Sequence, residues 1–222
     1  MIVDVASLWV AETNAYVLAA EAGGPGVVVD APPDLAGILE VLDRRRITPV
    51  ALLVTHGHID HTGAAGGLVE RTGARAYLHP DDAFLALDPE AQLRMLFGGI
   101  PPGDFRPPEF LDLADGQVLD LAGLRLEVVH TPGHTPGHCC FHLPDEGILL
   151  SGDHLFAGSI GRTDLPGGDF ATLMRSMRDK ILPLPDDTRV LPGHGPATTI
   201  GRERRSNPFL LQLLDRGRSS PG

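Results

Sequence analysis

Residues 55–61 read THGHIDH and directly follow the apolar run Val50–Val54. Three imidazoles and one carboxylate stand within six residues, which a solvated strand end does not require. Gly57 lets the segment bend, so side chains that would alternate along a strand can converge. Neutral imidazole and carboxylate together suit Zn, Fe and Mn. The segment therefore predicts a metal site immediately after a buried strand.

Three later turns carry the same kinds of side chain, each where a predicted strand ends. The turn at residues 130–138 reads HTPGHTPGH, and its Pro-Gly-His core presents His134. Asp153 lies in the bend SGDH, and glycines flank His194 in PGHGP. Strand ends that meet at one edge would bring these side chains to residues 55–61. The two oxygens of Asp153 can then bind separate metal ions.

The remaining conspicuous residues are interpreted as structural. Trp9, the only tryptophan, lies in a predicted strand and is expected in the core. The other five histidines are interpreted as structural or as neighbours of the ligands, including those at the ends of the turn 130–138 and the one that follows Asp153. These histidines are His79, His130, His138, His142 and His154.

The composition predicts one globular domain that neither binds nucleic acid nor spans a membrane. The chain has 222 residues, 42% of them hydrophobic, and a formal net charge of -11. An acidic surface repels phosphate backbones, and no run of about 18 uncharged apolar residues occurs. A disulfide between the adjacent Cys139 and Cys140 would be strained. Reduced thiols and the lack of a signal peptide predict a cytoplasmic protein.

The opening third predicts the order strand, strand, strand, helix, strand. Asp34–Arg46 has apolar residues at the i, i+3, i+4 and i+7 positions of one helical face. The continuous apolar run that ends this third is typical of a strand covered on both faces. The predicted strands are Val3–Trp9, Asn14–Ala20, Val27–Val29 and Val50–Val54.

The rest of the chain is expected to alternate strands with further helices. Asp88–Phe97 predicts a helix, whereas the four prolines of Gly98–Phe110 exclude helix and central strand. That long irregular segment is either a functional lid or a covering loop, and the sequence leaves both open. The further predictions are strands at Leu124–His130, Gly137–Leu143, Gly147–Leu150 and Arg189–Leu191, helices at Asp169–Ile181 and Gly201–Leu214, and a frayed tail at Arg216–Gly222.

These motifs together resemble the metallo-β-lactamase fold superfamily, whose HxHxDH pattern stands at residues 56–61. The resemblance extends from Asn14 to Pro196. It implies a four-layer αββα sandwich, an α/β fold, as the catalytic domain at residues 1–200, followed by a C-terminal helix and tail at 201–222. It also implies that His56, His58 and His134 hold one metal ion, that Asp60, His61 and His194 hold a second, and that Asp153 bridges them.

Residues 158–169 read GSIGRTDLPGGD and resemble the glyoxalase II group, especially its short, one-domain bacterial members. Within this segment, Arg162 and Asp164 either position the bridging carboxylate and its loop, or contact substrate, or only pair with each other. The resemblance implies a metal-dependent hydrolase that cleaves a thioester such as S-lactoylglutathione.

Two divalent metal ions would act on that thioester, with zinc expected first and iron or manganese as alternatives. Such ions lower the pKa of bound water from 15.7 to about 7 and supply hydroxide at neutral pH. Asp60 is the predicted catalytic residue, because it can orient this nucleophile and accept its proton while remaining a ligand. A thiol with a pKa of about 8.5 can leave without a dedicated acid.

Two other reactions remain open on the same scaffold. Persulfide dioxygenases of the superfamily hold a single iron with two histidines and one carboxylate, which would be His56, His134 and Asp153 here. Lactonases share the whole ligand pattern. A nuclease is disfavoured because the negative net charge of the chain opposes binding to nucleic acid. The expected partner is a small thioester or thiol-derived molecule, with no nucleic acid or membrane, on a monomer or homodimer.

Overall fold

The computed structural model describes residues 1–218 of the chain. Six strands form the first sheet in sequence order, and they are β1 (Ile2–Leu8), β2 (Thr13–Ala19), β3 (Pro25–Val29), β4 (Thr48–Leu53), β5 (Arg75–Leu78) and β6 (Phe110–Asp112). β1, β2 and β3 pair antiparallel, whereas β3 to β6 pair parallel. The segment 55–61 therefore leaves β4 at the edge where all the parallel strands end.

The second half of the chain forms another sheet. Its strands are β7 (Val118–Leu121), β8 (Leu124–His130), β9 (Cys139–Leu143) and β10 (Ile148–Gly152), then the separate hairpin β11 (Leu155–Phe156) and β12 (Ser159–Ile160), and finally β13 (Arg189–Pro192) and β14 (Thr198–Thr199). The sheet order is β14-β13-β10-β9-β8-β7. β8, β10 and β13 run in the same direction, so they end at a common edge.

Eight α-helices occur within residues 1–218, and they are α1 (Leu35–Arg45), α2 (Ile59–Thr62), α3 (Ala65–Thr72), α4 (Ala83–Ala86), α5 (Pro89–Phe97), α6 (Phe170–Ser176), α7 (Ile200–Ser206) and α8 (Pro208–Arg218). α1 begins where the Asp34 carboxylate accepts from the N–H of Gly37 at 3.0 Å. It ends at Arg46, whose φ of 56° is left-handed. None of these helices is long and apolar enough to span a membrane.

Three apolar layers hold the sheets and helices together. Between the sheets, Leu18 and Leu53 of the first belong to the same buried cluster as Phe141 of the second. Neighbouring strand residues point to opposite faces, so Val17 belongs to a second layer with α1 and α3. A third layer joins α6, α7 and α8 to the outer face of the second sheet. The predicted αββα sandwich is confirmed.

Two of the predicted helices differ from the observed ones. Asp169–Ile181 ends as an α-helix at Ser176 and continues as a π-helical turn at Met177–Ile181. The predicted helix Gly201–Leu214 is split into α7 and α8. Pro208 lacks an N–H and disfavours a helical conformation at Asn207, whose ψ is 120°. The predicted tail begins inside α8, and residues 219–222 lie outside the described structure.

Trp9 is not a core strand residue, contrary to the prediction. It follows β1 with φ 62°, in the turn to β2, and is only partly buried. Residues 98–109 are irregular, as their prolines predict. Several short elements were not predicted, and these are α2, α3, α4, β5, β6, β7, β11, β12 and β14.

The residues after position 200 are bonded to the preceding part of the chain. Glu203 of α7 is fully buried and accepts hydrogen bonds from the N–H of Gly158 at 2.8 Å and the hydroxyl of Thr198 at 2.6 Å. Gly158 lies in the turn of the β11–β12 hairpin, so α7 supports that hairpin. The domain boundary at residue 200 stays a prediction.

Candidate metal centre

The seven predicted ligands meet at one edge of the sandwich, on loops from both sheets. The segment after β4 supplies four of them, and α2 begins within it, with His58 as its N-cap residue. From the second sheet, His134 follows β8, Asp153 follows β10 and His194 follows β13. Each sheet therefore supplies part of the site.

His56, His58 and His134 form the first set of ligands, called here the three-histidine group. Their inward nitrogens lie close together: His58 Nδ1 is 3.0 Å from His56 Nε2 and 3.0 Å from His134 Nε2, and the latter two are 3.2 Å apart. All three residues are buried. Burial lowers the pKa of His56, and burial and His134 lower the pKa of His58 to about 3. These two rings are therefore neutral at neutral pH, the form that binds a metal ion.

Asp60, His61 and His194 form the second set, called here the Asp60 group. Asp60 Oδ2 lies 3.2 Å from His194 Nε2 and 3.4 Å from His61 Nε2. Burial opposes the protonated form of His194, but Asp153 and Asp60 raise its pKa to about 10. Without a metal ion, this group therefore holds a proton that an incoming ion has to displace.

Asp153 lies between the two groups. Its Oδ2 is 3.6 Å from His134 Nε2 and 3.5 Å from His194 Nε2, and its Oδ1 is 3.4 Å from His61 Nε2. His61 Nε2 and Asp153 Oδ1 are buried without a hydrogen-bond partner among the described residues. Buried polar atoms are rarely left unpaired. A metal ion would satisfy both atoms, and the donor set fits one.

Hydrogen bonds on the far side of two rings fix which nitrogen faces the centre. Asp30 Oδ2 accepts from His61 Nδ1 at 2.8 Å. The Thr55 hydroxyl donates to Asp30 at 2.9 Å and so accepts from His56 Nδ1 at 3.0 Å. Asp30 reaches this position with φ 62°, a strained value for a residue other than glycine. With Nδ1 engaged in these bonds, Nε2 is the nitrogen that both rings turn toward the centre. Burial opposes the charged form of His61, but Asp60, Asp30 and Asp153 raise its pKa, so its Nε2 holds a proton until a metal ion displaces it.

Two backbone carbonyls have the same effect on His134 and His194. His134 Nδ1 donates to the carbonyl of Arg162 at 2.7 Å, and His194 Nδ1 donates to the carbonyl of Ala11 at 3.1 Å. Nε2 is therefore the nitrogen that each ring turns toward the centre. In His194 it becomes a ligand once a metal ion displaces the proton that it holds. Imidazoles and carboxylates arranged in two such groups suit two divalent ions of the zinc, iron or manganese kind.

Five of the seven ligands line one side of a cavity of about 520 Å³, and they are His58, Asp60, His134, Asp153 and His194. Leu96 reaches this cavity from α5, and Phe156 and Ile160 reach it from the β11–β12 hairpin. Such a concave, largely apolar space beside a few polar groups is typical of a small-molecule site. Trp9, expected in the core, is instead a wall residue. The other apolar wall residues are Ala11, Ile59 and Leu165.

The sequence profile of the metallo-beta-lactamase superfamily matches residues 8–194, which include all seven ligands. The chain belongs to that superfamily. It is 40% identical over 185 residues to hydroxyacylglutathione hydrolase GloC of Haemophilus influenzae, which covers 82% of this chain and 86% of GloC. The family and the two ligand groups identify a metallo-hydrolase.

Two solved structures of the superfamily are similar to this chain in both sequence and fold. BLEG-1 B3 metallo-beta-lactamase is 39% identical with a TM-score of 0.87, and the match covers 94% of this chain and 99% of BLEG-1. TTHA1623, solved in a di-iron-bound form, is 40% identical with a TM-score of 0.84, and the match covers 93% and 100% of the two chains. The αββα architecture is therefore that of the superfamily.

In this metallo-hydrolase, Arg162 and Asp164 pair with each other. Two hydrogen bonds of 2.7 Å join the guanidinium to the carboxylate, and both side chains are more than half exposed. Arg162 also lines the cavity, which keeps it a candidate for substrate contact. The backbone of the bridging residue is held elsewhere, because the N–H of Asp153 donates to His138 Nε2 at 3.1 Å.

His79, Asp81 and His130 offer ligand atoms within 4.8 Å of one another, outside the two groups. The two imidazole rings stack, with centroids 4.1 Å apart and planes 7° apart. Ring lone pairs lie in the ring planes, so nearly parallel rings do not direct them at one point. His130 Nε2 also donates to the carbonyl of Pro136 at 2.8 Å. This geometry agrees with the structural interpretation of both histidines.

Three residues given no role by the sequence analysis support the superfamily ligands. Thr13 Oγ1 donates to Asp60 Oδ2 at 3.0 Å. Asn14 Nδ2 donates to two carbonyls of the His194 loop, each at 2.9 Å. Asp30 accepts a hydrogen bond from the His61 ring directly and supports the His56 ring through the Thr55 hydroxyl. Their one signal in the sequence is position, because Thr13 and Asn14 begin β2 and Asp30 follows β3.

Proposed function

We propose that the protein hydrolyses thioesters, with S-lactoylglutathione as the leading candidate. The observation that carries the proposal is the position of Asp153 between two ligand groups, beside a cavity with mostly apolar walls. Two metal ions held this way suit attack of water on a carbonyl. The similarity to GloC, a hydroxyacylglutathione hydrolase by name, supports a thioester as substrate.

Asp60 is the proposed catalytic residue. When bound, two divalent ions would supply water activated at neutral pH and a Lewis acid for the carbonyl oxygen. Burial favours the neutral form of Asp60, but His61 and His194 hold its pKa well below the ordinary value. Its carboxylate lines the cavity, and Thr13 and His194 hold its Oδ2. It is therefore ionised at neutral pH and can accept a hydrogen bond that orients an attacking water. We propose that it also takes the proton of that water, whose acidity the metal ions would raise.

The remaining cavity residues suit the two ends of a thioester. Trp9, Leu96 and Phe156 offer apolar surface to the acyl group or to the methylene chain beside sulfur. Arg162 offers a cation to a carboxylate of the thiol carrier. A thiol with a pKa of about 8.5 departs as thiolate, so the site needs no separate acid.

We propose zinc as the resident metal, with iron or manganese as alternatives. Imidazole and carboxylate donors accept all three metals, and metal supply decides among them. The di-iron-bound form of TTHA1623 supports iron as a serious alternative. Metal analysis of the protein purified without added metal separates these cases.

Steady-state kinetics on several substrates tests the proposal. Protein loaded in turn with each metal should cleave S-lactoylglutathione with kcat/KM of at least about 10⁴ M⁻¹s⁻¹, the lower end for natural substrates. A homoserine lactone and the β-lactam nitrocefin should be cleaved more slowly. Oxygen consumption on glutathione persulfide by a form with one iron would instead identify a dioxygenase. Preference for the lactone, or for nitrocefin as the likeness to BLEG-1 allows, would assign the site to that substrate.

We further propose that the substrate is a small molecule and that nucleic acid is not a partner. The net charge of -11 opposes binding to a phosphate backbone. The protein should therefore fail to retard DNA or RNA in a gel at low salt. Light scattering distinguishes a monomer from a homodimer, the two states that we propose.

A further inference from the structure

Asp82 is a buried carboxylate that belongs to neither ligand group. It ends the short turn Pro80–Asp82 after β5, and its side chain is fully buried. Burying a carboxylate is unfavourable unless donors surround it. The identity of those donors therefore indicates what the residue is for.

The donors to Asp82 come from two different metal loops. Oδ2 accepts from the N–H of Gly57 at 2.8 Å, and Gly57 stands between His56 and His58. In the loop that carries His134, the hydroxyl of Thr135 donates to Oδ2 at 2.7 Å and the N–H of Gly137 donates to Oδ1 at 2.6 Å. One carboxylate thus joins the backbones that carry the whole three-histidine group.

Both loops pack tightly against Asp82. A Cβ on Gly57 would lie 2.7 Å from the Asp82 carbonyl oxygen, and a Cβ on Gly137 would lie 2.8 Å from the Asp82 carboxyl carbon. Real Cβ atoms do not approach this closely, so both positions need glycine. Asp82 therefore fills the space between the two loops, with its backbone carbonyl against one and its carboxyl group against the other.

Gln92 of α5 holds the first of these loops but bonds to no part of the second. Its Oε1 accepts from the N–H of Ile59 at 3.0 Å, and its Nε2 donates to the carbonyl of Gly57 at 3.0 Å. Gln92 and Asp82 are both buried and polar, and both bond to Gly57. They differ in that Asp82 alone of the two connects this loop to His134.

We propose that Asp82 is a positioning residue that sets the metal affinity of the three-histidine group and not that of the Asp60 group. Without its carboxylate, the loop of His134 is free to shift relative to the loop of His56 and His58. The Asp60 group keeps its own support, the bond from Thr13 to Asp60. The inference concerns metal binding alone and holds whichever substrate the site cleaves.

The test compares Asp82→Asn with Thr13→Val, two nearly isosteric changes on opposite groups. An amide at position 82 turns an NH₂ toward at least one of the three donors, so a link between the loops is lost. Zinc dissociation constants come from competition with a chelator. Anomalous scattering from crystals grown at limiting zinc assigns each constant to a group. Asp82→Asn should weaken the three-histidine group by about 10- to 100-fold, the usual effect of losing a ligand's outer partner.

The outcomes separate positioning from a general role in folding. In support of the proposal, Asp82→Asn empties only the three-histidine group and Thr13→Val empties only the Asp60 group. Equal weakening of both groups by Asp82→Asn, or of neither, would overturn it. If that variant does not fold, Thr135→Val removes one link to the His134 loop and should give a smaller loss with the same selectivity. Unselective loss in Thr135→Val would overturn the proposal as well.

Discussion

The two metal-binding groups use similar ligands in opposite electrostatic settings. In the three-histidine group the rings are buried, and the low pKa values of His56 and His58 keep those rings uncharged. In the Asp60 group the side chains of His194 and Asp60 are 29% and 19% exposed. There the carboxylates raise the pKa of His194 to about 10. The three-histidine group therefore offers buried, neutral donors. The Asp60 group is charged and is partly exposed to the cavity.

The difference indicates that the groups have different tasks. An ion entering the three-histidine group displaces no proton from His56 or His58, so those donors are ready at neutral pH. An ion entering the Asp60 group competes with a proton on His194. We expect the three-histidine group to fill first, and the Asp60 group to be the more sensitive to solution conditions.

Asp153→Ala removes the carboxylate that lies between the two groups. Of the changes considered, it should cause the largest loss of activity and bound metal. Loss of the bridge should lower the metal content below two ions per chain. It should also reduce kcat by more than the roughly 100-fold typical of losing only an outer partner of a ligand. Metal analysis and steady-state kinetics check this, with Asp179→Ala, an exposed carboxylate outside both groups, as the control. Full activity with two bound ions in Asp153→Ala would refute the site.

Asp30→Asn should weaken metal binding at both groups, because Asp30 supports a ring in each group. An amide at position 30 keeps one accepting oxygen, and its NH₂ would face either His61 Nδ1 or the N–H of Thr55. Either clash disturbs the segment 55–61, which carries both rings. We expect zinc affinity to fall by about 10- to 100-fold at both groups, in contrast to the selective loss in Asp82→Asn. Chelator competition measures both constants, and Asp4→Asn, a surface change, is the control. A loss confined to one group would show that Asp30 serves only that group.

A change of pH should alter the zinc affinities of the two groups to different extents in the unmutated protein. His194 has a raised pKa of about 10, so its proton is present at neutral pH and is lost only as the pH rises toward that value. Zinc affinity of the Asp60 group should therefore increase by about tenfold per pH unit for each displaced proton. His58, with a pKa of about 3, contributes no such slope above pH 6 or so. Titrations at two pH values, with calorimetry in buffers of different ionisation enthalpy, test this. Equal slopes would contradict it.

Arg162→Ala should have the smallest effect and leave both groups intact. The carbonyl that accepts from His134 is part of the backbone, so the substitution keeps it. We expect KM for S-lactoylglutathione to rise by up to about fivefold, the scale of an exposed ion pair, with kcat and metal content unchanged. Arg178→Ala is the matched control, since Arg178 is also exposed and pairs with a nearby aspartate. A fall in metal content would show that the side chain has a structural role.

The sequence predicted the ligand cluster because it leaves local signals, whereas the sandwich was implied by the resemblance to the superfamily. Apolar runs that end in turns of His, Asp and Gly mark strand ends, and strand ends of one direction share an edge. The segment 55–61 and the turn 130–138 are examples of this. The residue types in these turns were enough to predict a metal site. Its division between two ions was implied by the resemblance, and the identity of the metal stays a prediction.

The supporting residues could not be predicted, because their partners are distant in the chain. Asp82 meets Gly137 across 55 positions, and Thr13 meets Asp60 across 47. Neither contact follows from spacing or periodicity. Trp9 was misplaced for a different reason. Its strand pattern was real, but the chain turns at that residue with a positive φ that no local signal marks.

The origin of the ligands in both sheets has a consequence for the lifetime of the protein. A metal ion bound at this edge would connect the first half of the chain to the second half. Because the unfolded chain lacks the assembled site, binding stabilises the native state by about 2.7 kcal/mol at a free metal concentration of 100 times Kd. Metal depletion should therefore lower the melting temperature and expose the chain to proteases. The metal supply of the cell would then control how much of the protein persists, as well as how active each copy is.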